Sequence, residues 1–279
     1  MKRAAVRVFE ALCPPVVAGA LRAAVGRLRH ARRGVAAPHV ARGGPIAGLR
    51  MVFEDPDDES WKRRMLDGAH DAELFAALAA DDLDGAVVCD VGGHVGYHTL
   101  AFAARVGPRG RVHVFEPSPA NVMRITENLA ANPHLTARAQ VHACALSDRA
   151  GHERFHFTDD VERGTASGGF VDSADTLLPR EDYARMGFTA QSVELRTLDE
   201  VTAAWTVGPR LLKIDVEGAE GAVLRGARET LARHRPIVAV EVHSIANMFE
   251  TTEALHAAGY ALRVLSRESD GRCLVLARG

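Results

Sequence analysis

The sequence predicts an α/β chain. Its core is a doubly wound, mostly parallel seven-stranded sheet closed by a C-terminal antiparallel hairpin, with a basic helical extension in front. Three observations predict it. From residue 69 onward, short apolar runs alternate with segments of helical apolar spacing, and strands that alternate with helices build parallel sheets covered on both faces. A glycine-rich turn joins the first of these strands to the helix after it, the place where such sheets bind ligands. The last two strand-like runs flank Asp270-Gly271, a hairpin signal that forces one of them to run antiparallel.

The elements follow in order. Residues 71–80 carry Leu74, Phe75 and Leu78 on one helical face. After the turn at Asp84-Gly85 come an apolar strand at 86–90 and a helix at 97–105, stopped by Gly107-Pro108. A second strand at 111–115, a helix at 121–131 and a third strand at 140–146 continue the alternation. Beyond residue 210 a fourth strand (211–215), a helix (219–233), a strand (236–242) and a helix (248–258) lead to the hairpin strands at 260–265 and 272–277. Residues 147–209 break the pattern. They hold strand-like pieces at 153–157 and 192–196 and a Gly/Ser-rich stretch at 164–169, and read as an insertion beside the active-site edge.

The chain has 279 residues, 47% of them hydrophobic and 25% charged. That suits one domain at 69–279 plus a smaller N-terminal extension at 1–68, with a core that needs neither disulfides nor structural metal. The formal net charge of −2 carries no global signal for nucleic acid. The first 45 residues differ: nine basic residues face the single acid Glu10, and Pro14-Pro15 splits two helical pieces. They read as a solvated basic cap, with a substrate lid or contact with an anionic membrane surface as alternatives. No apolar run is long enough for a stable membrane insertion. Arg7, Glu10 and Arg22 interrupt the stretch that a signal peptide needs. Cys13, Cys89, Cys144 and Cys273 show no metal or redox spacing, as expected of reduced core thiols in a cytoplasmic protein. Nothing in the sequence sets the oligomeric state.

The chemistry concentrates at the ends of the strands. In Asp90-Val91-Gly92-Gly93-His94-Val95-Gly96-Tyr97, Gly92 and Gly96 let the backbone approach a ligand. Asp90 organises the loop or accepts from a cationic group, and the helix beginning near Tyr97 aims N–H groups at an anion. The dinucleotide fingerprint needs a third glycine that neither register supplies, which disfavours a nicotinamide oxidoreductase. Glu116, at the end of the second strand, is placed to take both hydroxyls of a ribose, since a carboxylate accepts more than one hydrogen bond. Asp215 ends the fourth strand. Glu241 and His243 share one face at the exit of the next.

These segments resemble the FkbM family of methyltransferases. The resemblance rests on D-V-G-G-H-V-G-Y-H-T-L (90–100), V-F-E-P (114–117), A-L-S-D (145–148), T-L-D-E (197–200), L-K-I-D-V-E-G-A-E (212–220), V-L-R-G-A (223–227) and E-V-H (241–243). It implies a class I, Rossmann-like fold and S-adenosylmethionine as donor. The donor would be held by Asp90, Gly92, Gly93, His94, Gly96, Tyr97, Glu116, Pro117, Ala145, Leu146 and Asp215. The resemblance also implies O-methylation of sugar or polyketide-type hydroxyls in natural products or glycans. His94 departs from it, standing where the family usually has Asn or a small residue, and reads first as a space-filling side chain.

A hydroxyl acceptor needs a base that works near neutral pH. His243 is the first candidate, with Asp215 beside it. Asp215, Glu217 and Glu241, with His243, are the candidates for a divalent metal such as magnesium, a reading the sequence does not favour. The alternatives are methylation of a nitrogen or carboxylate on a small molecule, and a binding protein that keeps the fold without catalysis.

Overall fold

The computed structural model describes residues 37–53, 59–158, 169–175, 183, 188–268 and 271–279. The expected helices of the basic N-terminus, Cys13 and most of the Gly/Ser-rich stretch lie outside the described residues. Two short antiparallel strands come first, β1 (His39–Val40) and β2 (Arg50–Met51). Helices α1 (Glu59–Asp67) and α2 (Ala72–Ala77) lead into β3 (Val87–Val91), α3 (Tyr97–Arg105), β4 (Arg111–Phe115), α4 (Pro119–Ala130), α5 (Pro133–Thr136) and β5 (Ala139–His142). Four strands follow, β6 (Ala145–Leu146), β7 (Gly151–Thr158), β8 (Phe170–Val171) and β9 (Phe188–Arg196). The chain closes with α6 (Leu198–Thr202), β10 (Pro209–Ile214), α7 (Glu220–Arg225), α8 (Arg228–His234), β11 (Ile237–Val242), α9 (Ile245–Ala257), β12 (Ala261–Arg267) and β13 (Cys273–Arg278).

The main sheet has seven strands in the order β12-β13-β11-β10-β3-β4-β5. All neighbours from β11 to β5 pair parallel, and β13 is antiparallel to both of its neighbours. This is the class I arrangement, with the antiparallel hairpin where Asp270-Gly271 called for it. Alternate residues feed opposite faces. Leu211 packs with Leu100, Phe102 and Val112, whereas Leu212 and Ile214 pack with Val223, Leu231 and Val240. Successive strands step one way from β3 and the other way from β10, so the order reverses between these two. Loops leaving a reversal point diverge and leave a crevice.

Three expectations are corrected. The boundary at residue 68 falls inside one compact unit that begins at Pro38. Ile46, Met51 and Met65 lie in the same core as Leu100 and Val112. Asn128 Oδ1 accepts the Val52 N–H at 2.7 Å, and Asn132 bonds both the N–H and the C=O of Arg50 at 2.9 and 2.7 Å. The predicted third strand at 140–146 is two strands. β5 stops at His142, and β6 joins a second, four-stranded sheet in the order β6-β9-β7-β8, so the described part of the insertion is largely ordered sheet. The predicted helix at 219–233 is broken at Gly226-Ala227. Gly226 lies so close to Ser147 that a Cβ on it would fall 2.0 Å from the Ser147 carbonyl oxygen.

Candidate active site

The crevice opens where β3 and β10 diverge. Gly92 has φ +81°, and a Cβ there would fall 1.8 Å from the Asp215 carbonyl oxygen, so glycine is required on two grounds. Its N–H is donated to the Phe115 carbonyl at 2.9 Å, and the Gly96 N–H to the Gly93 carbonyl at 2.8 Å, which folds the turn back into α3. His94 sits in the left-handed region at φ 48°. Few non-glycine residues adopt that conformation, and histidine is, with Asn and Asp, among those enriched in it. The His94 side chain lies against Trp61, with ring centroids 5.7 Å apart. Its Nε2 is buried without a hydrogen-bond partner among the described residues. Burial pushes this imidazole down to about 4, so it is neutral at pH 7.

Behind the turn lies a buried ion cluster. Lys213 Nζ is 3.2 Å from the Gly92 carbonyl oxygen, 3.2 Å from Asp215 Oδ2 and 3.6 Å from Asp90 Oδ1. An unpaired buried ammonium costs several kcal/mol. Burial alone would depress Lys213, but the two carboxylates hold it above its ordinary value. The exchange is mutual: burial would raise Asp215, yet Lys213 and then His243 keep it lowered. Asp90 is fully buried, and its Oδ2 accepts the Thr99 hydroxyl at 2.7 Å. It therefore organises the loop.

Glu116 lies across the turn. Its carboxylate accepts the Ser118 N–H at 2.8 Å, the His94 N–H at 2.9 Å and the Asn121 amide at 3.3 Å. A carboxylate offers about four lone-pair positions, so roughly one stays open for a ligand, where the sequence suggested two. Burial raises Glu116 to about 7 despite these donors. The cleft beside it has a cavity volume of about 150 Å³. Of the residues expected at the donor, Gly92, His94, Glu116, Pro117, Ala145, Leu146 and Asp215 line it. Asp90, Gly93, Gly96 and Tyr97 shape the turn without lining it. Tyr97 is buried, with its hydroxyl donated to the His70 carbonyl at 3.2 Å. The apolar wall of Phe155, Phe170 and Val171 comes from the second sheet and was missed in the sequence.

At the Asp215 edge the chemistry changes. His243 Nδ1 is 2.6 Å from Oε1 of Glu220, a carboxylate with no exposed surface. Glu220 Oε1 also accepts the Gly218 N–H at 3.0 Å. His243 Nε2 lies 3.6 Å from Asp215 Oδ1, 3.6 Å from Glu217 Oε2 and 3.9 Å from Glu241 Oε1. Burial would lower this imidazole, but the Glu220 bond and the charges of Asp215 and Glu217 raise it to about 9. Glu217 is itself raised by burial, and Glu241 reaches about 7 through burial and the charge of Asp215. Glu220 was missed. No local pattern showed it, because its role depends on α7 packing against the end of β11.

The metal expectation is only partly matched. Donor atoms of Asp215, Glu241 and His243 lie within 4.8 Å of one another, without Glu217. Magnesium prefers oxygen ligands, and here one donor is imidazole. Asp215 and Glu241 already have cationic partners in Lys213 and Arg272, each at 3.2 Å. The set fits magnesium poorly, and no chemical step below passes through it.

Sheet order, reversal-point crevice and acid-tipped second strand are those of the class I, Rossmann-like methyltransferase fold. Residues 90–262, more than half of the chain, match the family model of the methyltransferase FkbM domain, and the chain belongs to that family. It is 33% identical over 184 residues to the 31-O-demethyl-FK506 methyltransferase FkbM of Streptomyces tacrolimicus, covering 58% of this chain and 66% of that protein. It is 30% identical over 154 residues to the 2-O-methyltransferase NoeI of Sinorhizobium fredii, covering 53% of this chain and 60% of that protein. The matches thus span less than two thirds of either relative. The crystal structure of Methyltransferase FkbM from Methylobacillus flagellatus aligns with a TM-score of 0.48 and 17% identity, over 68% of this chain and 43% of that one.

Proposed function

We propose that this chain transfers the methyl group of S-adenosylmethionine to a hydroxyl of a small-molecule acceptor, a sugar or polyketide-type natural product or a glycan. The observation that carries this reading is the buried Glu220–His243 pair at the edge of the donor crevice. An alcohol becomes a good nucleophile only as its proton leaves, and this pair is a base with its orienting carboxylate. The similarity to a 31-O-demethyl-FK506 methyltransferase and a 2-O-methyltransferase supports a hydroxyl acceptor. A hexuronic acid methyltransferase of Haloferax volcanii, 27% identical over 218 residues, supports a sugar. The buried free thiols Cys89, Cys144 and Cys273 support a reducing, cytoplasmic setting. No described helix is long and apolar enough to cross a membrane.

The bound donor supplies an electrophilic methyl on a sulfonium, so positioning accounts for much of the rate. Glu116 would accept a ribose hydroxyl, the Phe155–Phe170 wall would cover the nucleoside, and His94 Nε2 would offer a polar contact inside the cleft. His243 takes the acceptor proton at Nε2, while Glu220 holds Nδ1–H and stabilises the imidazolium. Without donor that imidazole is mostly protonated at pH 7, its value being about 9. A cation brought beside it favours the neutral form.

Replacing His243 with Ala tests this. Turnover on a hydroxyl acceptor should fall by roughly 10²- to 10⁴-fold, with the affinity for S-adenosylhomocysteine unchanged. Turnover within threefold of wild type would sink the base and favour a nitrogen or carboxylate acceptor. Absence of any donor binding by the wild-type chain would favour a non-catalytic protein.

A further inference from the structure

A second group of ligating side chains does not line the donor cleft and shares no residue with Glu220–His243. His70 and Asp71 sit in the link between α1 and α2, and His98 is in the first turn of α3. One donor atom from each lies within 4.8 Å of the other two. His98 Nε2 is 2.9 Å from Asp71 Oδ2, and His70 Nδ1 is 4.0 Å from Asp71 Oδ1. His98 Nε2 has Asp71 Oδ2 as its partner, whereas His70 Nδ1 is buried without a hydrogen-bond partner among the described residues. Such an orphan is uncommon, because nearly all buried polar side-chain atoms have a partner. The rings are held in place by aromatic neighbours. His98 stacks on Phe75 at 5.8 Å and 12°, and His70 meets the Tyr97 ring edge-on at 4.9 Å and 73°.

We propose that His70 Nδ1, an Asp71 carboxylate oxygen and His98 Nε2 bind one transition-metal dication of the zinc type. Zinc takes imidazole nitrogen and carboxylate oxygen at about 2.0–2.1 Å in a tetrahedron, which puts donors ~3.3 Å apart. His98 Nε2 is already near that spacing from Asp71 Oδ2, His70 Nδ1 is 4.0 Å from the other carboxylate oxygen, and all three donors fall within 4.8 Å, so rotation of the His70 and Asp71 side chains closes the set. Two imidazoles with one carboxylate suit zinc, nickel or iron better than magnesium. This sets the group apart from the carboxylate-rich Asp215 corner, whose acids have Lys213 and Arg272 as partners. Three protein donors leave one position open to water or a ligand. The ion ties the link before α2 to α3, and the inference stands whether or not the proposed methyl acceptor is right.

The test uses the full chain, stripped with chelator, dialysed, and titrated with Zn²⁺ by calorimetry and with Co²⁺ by visible absorption. One equivalent should bind, the Co²⁺ form should show the intense bands of a low-coordinate site, and Zn²⁺ should raise the melting temperature by mass action. His70→Phe and His98→Phe keep the aromatic packing and remove the ligand. Each should weaken Zn²⁺ binding by roughly 100-fold or more, whereas Glu241→Gln should leave it unchanged. His70 is only half-buried, so its variant remains informative if His98→Phe does not fold. No stoichiometric binding to wild type would mean that His98 and Asp71 form a plain ion pair, overturning the site. Loss of binding in Glu241→Gln but not in His70→Phe would move the ion to the catalytic corner and overturn it equally.

Discussion

The two sides of the crevice are built differently. The donor side is a rigid mould: a glycine turn in positive φ, an apolar wall from the second sheet, and one buried acid, Glu116, held by three donors. The other side is a charged nest in which His243 is surrounded by Glu220, Asp215, Glu217 and Glu241. A mould recognises one ligand shape. A nest of coupled charges sets a proton affinity and leaves the acceptor's shape to the surrounding segments. The contrast teaches that donor binding and proton transfer should be separable by mutation and by pH.

The largest expected effect is that of His243→Ala, whose loss should appear in kcat alone. A comparable loss of donor affinity would break the division between the two sides. Next is Glu220→Gln, which keeps the shape but removes the charge that raises His243. Turnover should fall roughly 10- to 100-fold, and the kcat/KM profile should shift to lower pH. In wild type kcat/KM should rise with pH and level off above about 9, because the protonated imidazole present below that value cannot accept a proton. A profile flat from pH 6 to 10 would refute His243 as base.

Glu116→Ala should weaken S-adenosylhomocysteine binding by roughly tenfold, the loss of one charge-assisted hydrogen bond, with little change in kcat at saturation. Donor affinity in wild type should fall as pH drops through about 7, where Glu116 takes up a proton. Thus the two sides should titrate about two pH units apart. The smallest effect concerns stability. The His243 value is raised above that of the unfolded chain, so its contribution is fully present below about 6.5 and is lost as pH rises through about 9. The melting temperature of His243→Ala should therefore differ from wild type most at pH 6 and least at pH 10.

Legibility followed the same division. The turn at 90–97 and Glu116 could be read because each is a local pattern whose chemistry is fixed by a few adjacent residues. Asp215 and His243 were visible as polar residues at the exits of apolar strands, and Lys213, a lysine within an apolar run, carried a signal that went unused. Glu220 was hidden because its role depends on a helix facing a strand 23 residues away. The doubly wound, mostly parallel sheet with its C-terminal hairpin followed from the alternation of elements, although the strand order did not. The second sheet did not, because β6 pairs with β9 across the whole insertion, and single-sequence patterns do not encode such pairings. Residues 38–68 were taken for an appendage because their strands are only two residues long. Tertiary bonds from Asn128 and Asn132 hold them in place, rather than any local periodicity.

The most direct measurement is a crystal structure of the full chain with S-adenosylhomocysteine bound. The expected map places a ribose hydroxyl on the Glu116 carboxylate, the base against the Phe155–Phe170 wall, and the sulfur facing the Asp215–His243 corner. A nucleoside lying outside that cleft, or a sulfur pointing away from His243, would contradict the division of labour between the two sides.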